Sequence, residues 1–370
     1  MSSSKPIFLL GEAMGEAEVK IGKGFVGASG IELLKMLAEA GVIEWTPNDA
    51  ERLRWYYNRN DPRQIDMIWD VHPELYRSNV FQLHPPANNL EFFCGGKAEG
   101  IPGYPALIKG KFVRREYETQ LDRLGDEILA IDPNLIICLG NSALWALAGR
   151  TGVSKLRGTT FLSTHCVSDY KCLVAYHPSA VLRGWENRPV TILDFAKATY
   201  ERDYPEVRRP KCEIWIEPDI ADIERFYNDH ILGCEILSTD IETSGTRITC
   251  IGFAPRHDLA IVIPFDDDRR PDRSYWSTGV DERRTWEIVR RILEDPTIPK
   301  VFQNGLYDIA FLWRSYGIRV LAGREDTMLL HHALLPESLK SLGFMGSVYT
   351  DHGPWKTERK GVDQTIKRDA

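Results

Sequence analysis

The sequence predicts an α/β protein of two successive domains, a parallel sheet covered by helices and then a mixed sheet, and three observations predict it. Strand-like and helix-like segments alternate through the first two hundred residues, the pattern of parallel strands joined by crossover helices. A polar stretch with two prolines, residues 203–211, interrupts that alternation. Beyond it, four strand-like runs come before three helical ones, which suits a mixed sheet flanked by helices. A chain of 370 residues has room for two or three domains.

The elements follow in order. Pro6–Leu10 is a short apolar strand ending in a glycine-rich turn, and Ile31–Ala40 repeats apolar residues at helical spacing up to Gly41. Residues 44–75 are dense in charge and aromatics and read as a helical insertion. Asn79–Leu83 is a second strand, Arg114–Ile131 an amphipathic helix closed by Asp132-Pro133, and Leu135–Leu139 a continuous buried strand. Asn141 is the expected N-cap of a helix stopped by Gly149. Lys171–Tyr176 and Val190–Tyr200 complete the first domain, residues 1–205, and 206–211 form the linker. In the second, 212–370, the strands are Glu213–Ile216, Glu235–Asp240, Ile248–Phe253 and Leu259–Pro264. The helices are Glu282–Leu293, Leu306–Tyr316 and Thr327–Leu334.

Composition narrows the class. The net charge of −7 excludes a general basic coat but not a local basic groove. No apolar run approaches the roughly 18 residues of a membrane span, and Ile7–Leu10 is too short for a signal-peptide core. A soluble, cytoplasmic protein without membrane contact is the expectation. The seven cysteines contain no Cys-x-x-Cys pair and read as packing residues.

Four blocks carry the chemistry of the first domain. They are Gly11-Glu12-Ala13-Met14-Gly15, then Gly22-Lys23-Gly24-Phe25-Val26-Gly27, then Asn79 to Asn88 with Pro85-Pro86, and finally His177-Pro178-Ser179. In that order they resemble the uracil-DNA glycosylase superfamily, specifically its thermophile-type family 4, over most of residues 5–200. The resemblance implies an αβα domain that takes a flipped uracil. Phe25 would stack on the base, Asn79 would read its polar edge, and His177 would hydrogen-bond a base carbonyl. Glu12 and Glu18 would sit beside the sugar and the attacking water. A base must leave the stack to be cut, and uracil departs as an anion, so a donor such as His177 belongs at the developing charge. The family's iron–sulfur cluster is expected to be absent, because no Cys-x-x-Cys precedes Gly11 and Leu83 stands where a ligand belongs. Met14 replaces the motif proline.

The second domain has Asp240-Ile241-Glu242 at a strand end, where residues i and i+2 share a face. Two carboxylates side by side repel unless a cation lies between them. Asn304-Gly305-Leu306-Tyr307-Asp308 then turns a strand into a helix, placing Asp308 in its first turn. These blocks resemble the DEDD family of 3′–5′ exonucleases, in particular the proofreading domain of family A DNA polymerases. That likeness implies a ribonuclease H-like mixed sheet, with two Mg²⁺ or Mn²⁺ ions held by Asp240, Glu242 and Asp308, and Asn304 beside the substrate. Asp326 reads as a helix N-cap rather than a ligand. The family's third signature, Tyr-x-x-x-Asp, is missing, since Ser347, Arg359 and Thr365 stand four residues before Asp351, Asp363 and Asp369.

Together the two halves resemble the front end of a phage-type family A DNA polymerase in a bacterial cell. The implied partners are a single-stranded or frayed 3′ end of DNA and a polymerase domain in cis or in trans. A non-catalytic uracil reader and an RNA exonuclease are the alternatives.

Overall fold

A computed structural model describes residues 5–352. The chain divides into two compact units, one ending at Arg209 and resuming at Gly343, the other spanning Pro210–Leu342.

In the first unit the chain runs β1 (Ile7–Ala13), α1 (Glu16–Ile21), α2 (Ala28–Glu39), α3 (Pro47–Arg59), α4 (Arg63–Trp69) and β2 (Leu75–Phe81). Then come β3 (Cys94–Gly95), β4 (Phe112–Val113), α5 (Glu118–Ile131), β5 (Leu135–Leu139), α6 (Gly140–Ala148) and α7 (Val153–Leu156). β6 (Thr160–Thr164), β7 (Ser168–Ala175), α8 (Pro178–Arg183) and α9 (Arg188–Glu201) complete it. The main sheet has the order β2-β1-β5-β7-β6. β1 alternates its side chains between two cores, with Ile7 and Leu9 in one and Phe8 and Leu10 in the other, so both faces are covered. A strand buried on both faces reads as a continuous apolar run, which is why β1 and β5 were legible. β6 was not anticipated. It is an edge strand, antiparallel to β7, and its sequence Thr-Phe-Leu-Ser-Thr has too little apolar continuity to stand out.

The charged, aromatic stretch before β2 is helical, as expected. Thr46 opens α3 with a capping box, its hydroxyl accepting from the Asp49 N–H while Asp49 accepts from the Thr46 N–H. Asn141 is not a cap. α6 starts one residue earlier, at Gly140, and the Asn141 side chain instead accepts from the N–H groups of Gly152 and Val153 at 2.8 and 3.1 Å.

The second unit contains β8 (Glu213–Trp215), α10 (Ile220–Phe226), β9 (Leu237–Ser244), β10 (Arg247–Arg256), β11 (Leu259–Pro264) and α11 (Gly279–Glu294). β12 (Lys300–Phe302), α12 (Leu306–Tyr316), β13 (Gly323–Asp326) and α13 (Thr327–Leu334) follow. Its sheet is mixed, in the order β13-β12-β9-β10-β11-β8, with β9, β10 and β11 antiparallel and the remaining pairings parallel. Leu237 and Ile241 of β9 point into the core with the buried residues of α10 and α11.

The helix α14 (Leu342–Tyr349) leads back to the first unit. Arg157, paired with Asp194 in the interior, also donates to Ser347 Oγ at 2.9 Å. Lys197 donates to the Thr350 carbonyl at 2.7 Å and the Tyr200 hydroxyl to Asp351 at 2.9 Å. The described residues from Gly343 onward thus make these contacts with the first unit. Buried cations that need partners account for them. Asp363 and Asp369 lie outside the described residues.

Candidate active sites

The carboxyl ends of the parallel strands of the first unit surround a cavity of about 1010 Å³. β1 has β2 on one side and β5 on the other, so the chain reverses direction across the sheet there, and open α/β sheets take ligands at such a switch. Glu12, Glu18, Phe25, Asn79 and His177 all line this cavity, so the five residues read from separate motifs do come together.

Phe25 is 2% exposed and adopts a left-handed backbone conformation, φ 58°, rare for an aromatic residue. Contacts hold it there. Its N–H donates to Glu18 Oε1 at 2.6 Å and its carbonyl accepts from the Trp69 indole at 2.8 Å. Gly30 must be glycine, because a Cβ there would lie 1.7 Å from the Phe25 oxygen. The ring centroid of Phe25 lies 6.1 Å from that of His177. Trp69 belongs to the helical insertion, so that insertion buttresses the pocket.

His177 precedes α8, and its Nδ1 accepts from the Ser179 N–H at 3.1 Å. An imidazole nitrogen that accepts carries no proton, so in the neutral ring the hydrogen sits on Nε2. Burial, with the Arg183 charge adding to it, pushes the pKa of His177 down to about 4. His177 is therefore a neutral donor at the cavity wall. Gly140, with φ 89°, lets the chain pass this ring, since an added Cβ would lie 3.0 Å from the His177 Cβ.

The two glutamates differ. Glu12 accepts from Ser142 Oγ at 3.0 Å, and burial raises its pKa. Glu18 lines the same cavity, and both of its oxygens already accept from protein donors. One oxygen takes the Phe25 N–H, and the other takes the Gly15 N–H at 2.9 Å and Asn79 Nδ2 at 3.4 Å. Burial raises its pKa too, against those donors. Ser142, Asn141, Lys109 and Arg183 also line the cavity and were missed by sequence reasoning. Their signal was slight, a polar Gly-Asn-Ser after a buried strand and two cations without a motif.

In the second unit, Asp240 and Glu242 lie on the exposed face of β9, alternating with inward Thr239 and Ile241. The residue beside Asp240 on β10 is Gly252. Asn304 takes φ 59° at the corner after β12, tolerable for asparagine, and Asp326 grips the corner by accepting from the N–H groups of Asn304 and Gly305 at 3.1 and 2.8 Å. Asp326 also caps α13 through Met328 and Leu329, in keeping with the sequence reading. Asp308 follows in the first turn of α12, its Oδ1 accepting from the Ile241 N–H at 3.1 Å. Burial first, then the charges of Asp326 and Glu242, raise its pKa.

The three carboxylates share this edge without closing on it. Among the described residues no group of three or more histidine, cysteine, aspartate or glutamate side chains is close enough to hold a metal ion. The donor type, all carboxylate oxygen, suits a hard divalent cation; the spacing is not that of a finished site. Leu83, where the resemblance implies a cluster ligand, is 40% exposed, and Cys94 lies in β3 paired with Val113.

Comparison with known proteins also divides the chain between its two halves, near residues 201–221. Residues 2–201 match the model of the uracil DNA glycosylase superfamily, and residues 221–358 match a 3′–5′ exonuclease model. A DNA polymerase of Bacillus phage SP01 is 23% identical over 244 residues, 58% of this chain but only 25% of that polymerase. The type-4 uracil-DNA glycosylase of Archaeoglobus fulgidus is 27% identical over 196 residues, 52% of this chain and 74% of the relative. Among solved structures, the EXD2 exonuclease domain soaked in Mg and dGMP has 17% identity and a TM-score of 0.26, covering 37% of this chain and 69% of that one. Brucella melitensis NrnC with bound Mg²⁺ has 17% identity and a TM-score of 0.26, covering 39% and 62%.

Proposed function

From a chain that belongs to the uracil DNA glycosylase superfamily and continues into a 3′–5′ exonuclease segment, we propose a DNA-acting hydrolase that excises uracil in its first unit and trims 3′ ends in its second. The single observation that carries the first activity is His177, a neutral donor held by Ser179 in the wall of a cavity that also presents Phe25 and Asn79. In the proposed reaction the bond between the uracil nitrogen and the sugar carbon breaks, and its electron pair leaves with the base. The Nε2–H of His177 donates to the base carbonyl oxygen on which that charge collects, where a preorganised donor lowers the barrier most. A water oxygen then bonds the sugar carbon, and its proton passes to Glu12 or to solvent. Phe25 holds the base by its face and Asn79 by its edge.

For the second activity, Asp240, Glu242 and Asp308 would hold divalent metal, Mg²⁺ or Mn²⁺, two ions on the family pattern. Such ions activate water and stabilise the departing 3′ oxygen. The first unit is proposed to work without an iron–sulfur cluster, so iron should be absent from the purified protein. The proposed partners are single-stranded DNA or a frayed 3′ end, and a polymerase domain in cis or in trans. The setting is the cytoplasm of a bacterial cell. Among the described residues no helix is long and apolar enough to cross a membrane.

The test uses uracil-containing single strands in EDTA, which disables metal-dependent trimming, followed by alkali to break abasic sites. Strand breaks at uracil alone support excision. No breaks, with uracil still preferred over thymine in binding, would leave a uracil reader without chemistry. That second reading is favoured by the burial that raises the pKa of Glu12 and so disfavours its charged form.

A further inference from the structure

Met14 stands where the resemblance leads one to expect proline, and its side chain reaches the residue that reads the base. Met14 is 5% exposed, and its Sδ lies 3.4 Å from Asn79 Nδ2. Glu18 Oε2 lies 3.4 Å from the same nitrogen. That carboxylate already takes N–H donors from Gly15 and Phe25, so towards Asn79 it acts only as an acceptor. A thioether has no proton to give and is an acceptor as well. Both neighbours therefore require the NH₂ side of the amide, and this selects one of its two orientations on chemical grounds. The two N–H bonds then have two acceptors, and the carbonyl Oδ1 is the atom left for an incoming base.

The amide has no room to escape that choice. Gly11 and Gly24 lie against it, and a Cβ added at Gly11 would sit 2.3 Å from Oδ1, while one at Gly24 would sit 3.0 Å from Nδ2. Asn79 itself is 2% exposed, so bulk water does not compete for its hydrogens. Three features thus converge on one side chain: an acceptor-only carboxylate, an acceptor-only sulfur, and glycine walls.

We propose that Glu18 is a positioning residue that sets the base specificity of the cavity by holding Asn79 with its carbonyl outward, and that Met14, bound to the same amide nitrogen, tunes its affinity. The inference rests on the reading of this cavity as a uracil pocket. An outward carbonyl accepts from a ring that offers an N–H at its pairing edge, as uracil does. It repels a ring with a lone pair there, as in cytosine. Met14 adds a second consequence. The amide N–H that would donate to the neighbouring uracil carbonyl is shared with the sulfur, so uracil has to compete for it. Glu18 supplies specificity, and Met14 limits affinity.

The experiment uses the full chain labelled with ¹⁵N-asparagine, with the Asn79 side-chain signals identified by their loss in Asn79→Ala. Without any base, the Asn79 NH₂ protons should exchange with water at least about tenfold more slowly than those of exposed asparagines. Glu18→Gln should remove that protection, because a glutamine amide satisfies Asn79 in either orientation. Titration of uracil and cytosine as free bases gives the second readout. Glu18→Gln should lower the uracil-to-cytosine affinity ratio about tenfold, the worth of about 1.4 kcal/mol. Met14→Leu, which keeps the core volume, should tighten uracil severalfold and leave the ratio unchanged. Because Glu18 also holds Phe25, Met14→Leu keeps the proposal testable if Glu18→Gln fails to fold. Fast exchange of the Asn79 amide in the unmutated protein would overturn the positioning claim. A protected amide with uracil and cytosine bound equally would overturn the specificity claim. A protected amide in a protein that binds neither base would overturn the uracil reading itself.

Discussion

The cavity of the first unit, proposed to take a base, and the carboxylate edge of the second are both built at strand ends, yet one is finished and the other is open. In the pocket, every reading residue is already held. Phe25 is fixed in a left-handed conformation, His177 by Ser179, and Asn79 by Glu18 and Met14. At the edge, Asp240 and Glu242 line the exposed face of β9, and Asp308 turns one oxygen to a backbone N–H. The difference fits what each site is proposed to bind. A neutral base is recognised by shape and hydrogen bonds, which protein atoms can prearrange alone. A carboxylate set repels itself until a cation arrives, so its geometry is completed by the ligand.

The sharpest way to break this comparison is to remove one carboxylate. With Asp240→Ala, metal-dependent 3′–5′ trimming should fall by about three orders of magnitude, because metal stabilisation of the attacking and leaving oxygens is worth several kcal/mol. Uracil binding should not change. Release of nucleotides from a labelled single strand measures the first, and a uracil titration the second. Equal loss in both assays would mean that the two sites are not independent.

His177→Ala tests the finished site. Loss of one preorganised donor at a developing oxyanion should slow excision by roughly a hundredfold to a thousandfold. Uracil affinity should fall only a few-fold, since the donor acts chiefly on charge that forms during reaction. A large loss of affinity with an unchanged single-turnover rate would assign His177 to binding instead.

The contrast also explains what the sequence made legible. Glu12, Asn79 and His177, named by resemblance, meet at one cavity because parallel strands bring their carboxyl ends to one rim. The shared face of Asp240 and Glu242 was legible from a two-residue strand period, and the place of Asp308 from a strand-to-helix corner. Contacts between single residues without a spacing rule stayed hidden. Trp69 bonding the Phe25 carbonyl, Ser142 holding Glu12, and the sulfur of Met14 on Asn79 are of that kind. The bonds of Glu18 stayed hidden for the same reason: a carboxylate in a motif does not say which N–H groups will claim it. Nor could the packing of Ser347 and Thr350 with the first unit be read, because the need for it lies in two buried cations, Arg157 and Lys197.

A pH series sharpens the comparison further. His177 has its pKa depressed from 6.5 to about 4 in the fold, so between those values the unfolded chain binds the extra proton. Its contribution to stability is complete above about pH 6.5 and is lost as the pH falls towards 4. The expected size is on the order of 1–3 kcal/mol. Glu12 and Glu18, whose pKa values are raised, act in the opposite sense, so the contribution has to be isolated as a difference from His177→Gln. Denaturant unfolding of both proteins from pH 4 to 7.5 should show the gap between them changing across that window. Excision should show no acid limb near pH 6.5, because the neutral donor persists well below it.

The smallest expected effect separates a cap from a ligand. Asp326 lies close enough to Asp308 for its charge to raise that residue's pKa, so position alone would let it serve as a metal ligand. Its oxygens are instead spent on backbone donors at Asn304, Gly305, Met328 and Leu329, and these bonds lower its own pKa despite the desolvation that opposes them. Asp326→Ala should therefore cost roughly 1–2 kcal/mol of stability, the usual worth of an N-cap. Asp326→Asn keeps one acceptor oxygen and should recover about half of that. Mn²⁺ affinity, measured by calorimetry on folded protein, should change by no more than a few-fold in either variant, because the corner carrying Asp308 loosens but no ligand is lost. Asp308→Ala, in contrast, should weaken the metal by at least about tenfold. If Asp326→Asn abolished Mn²⁺ binding with its stability intact, the carboxylate edge would have a ligand that the fold uses as a cap only until the cation arrives.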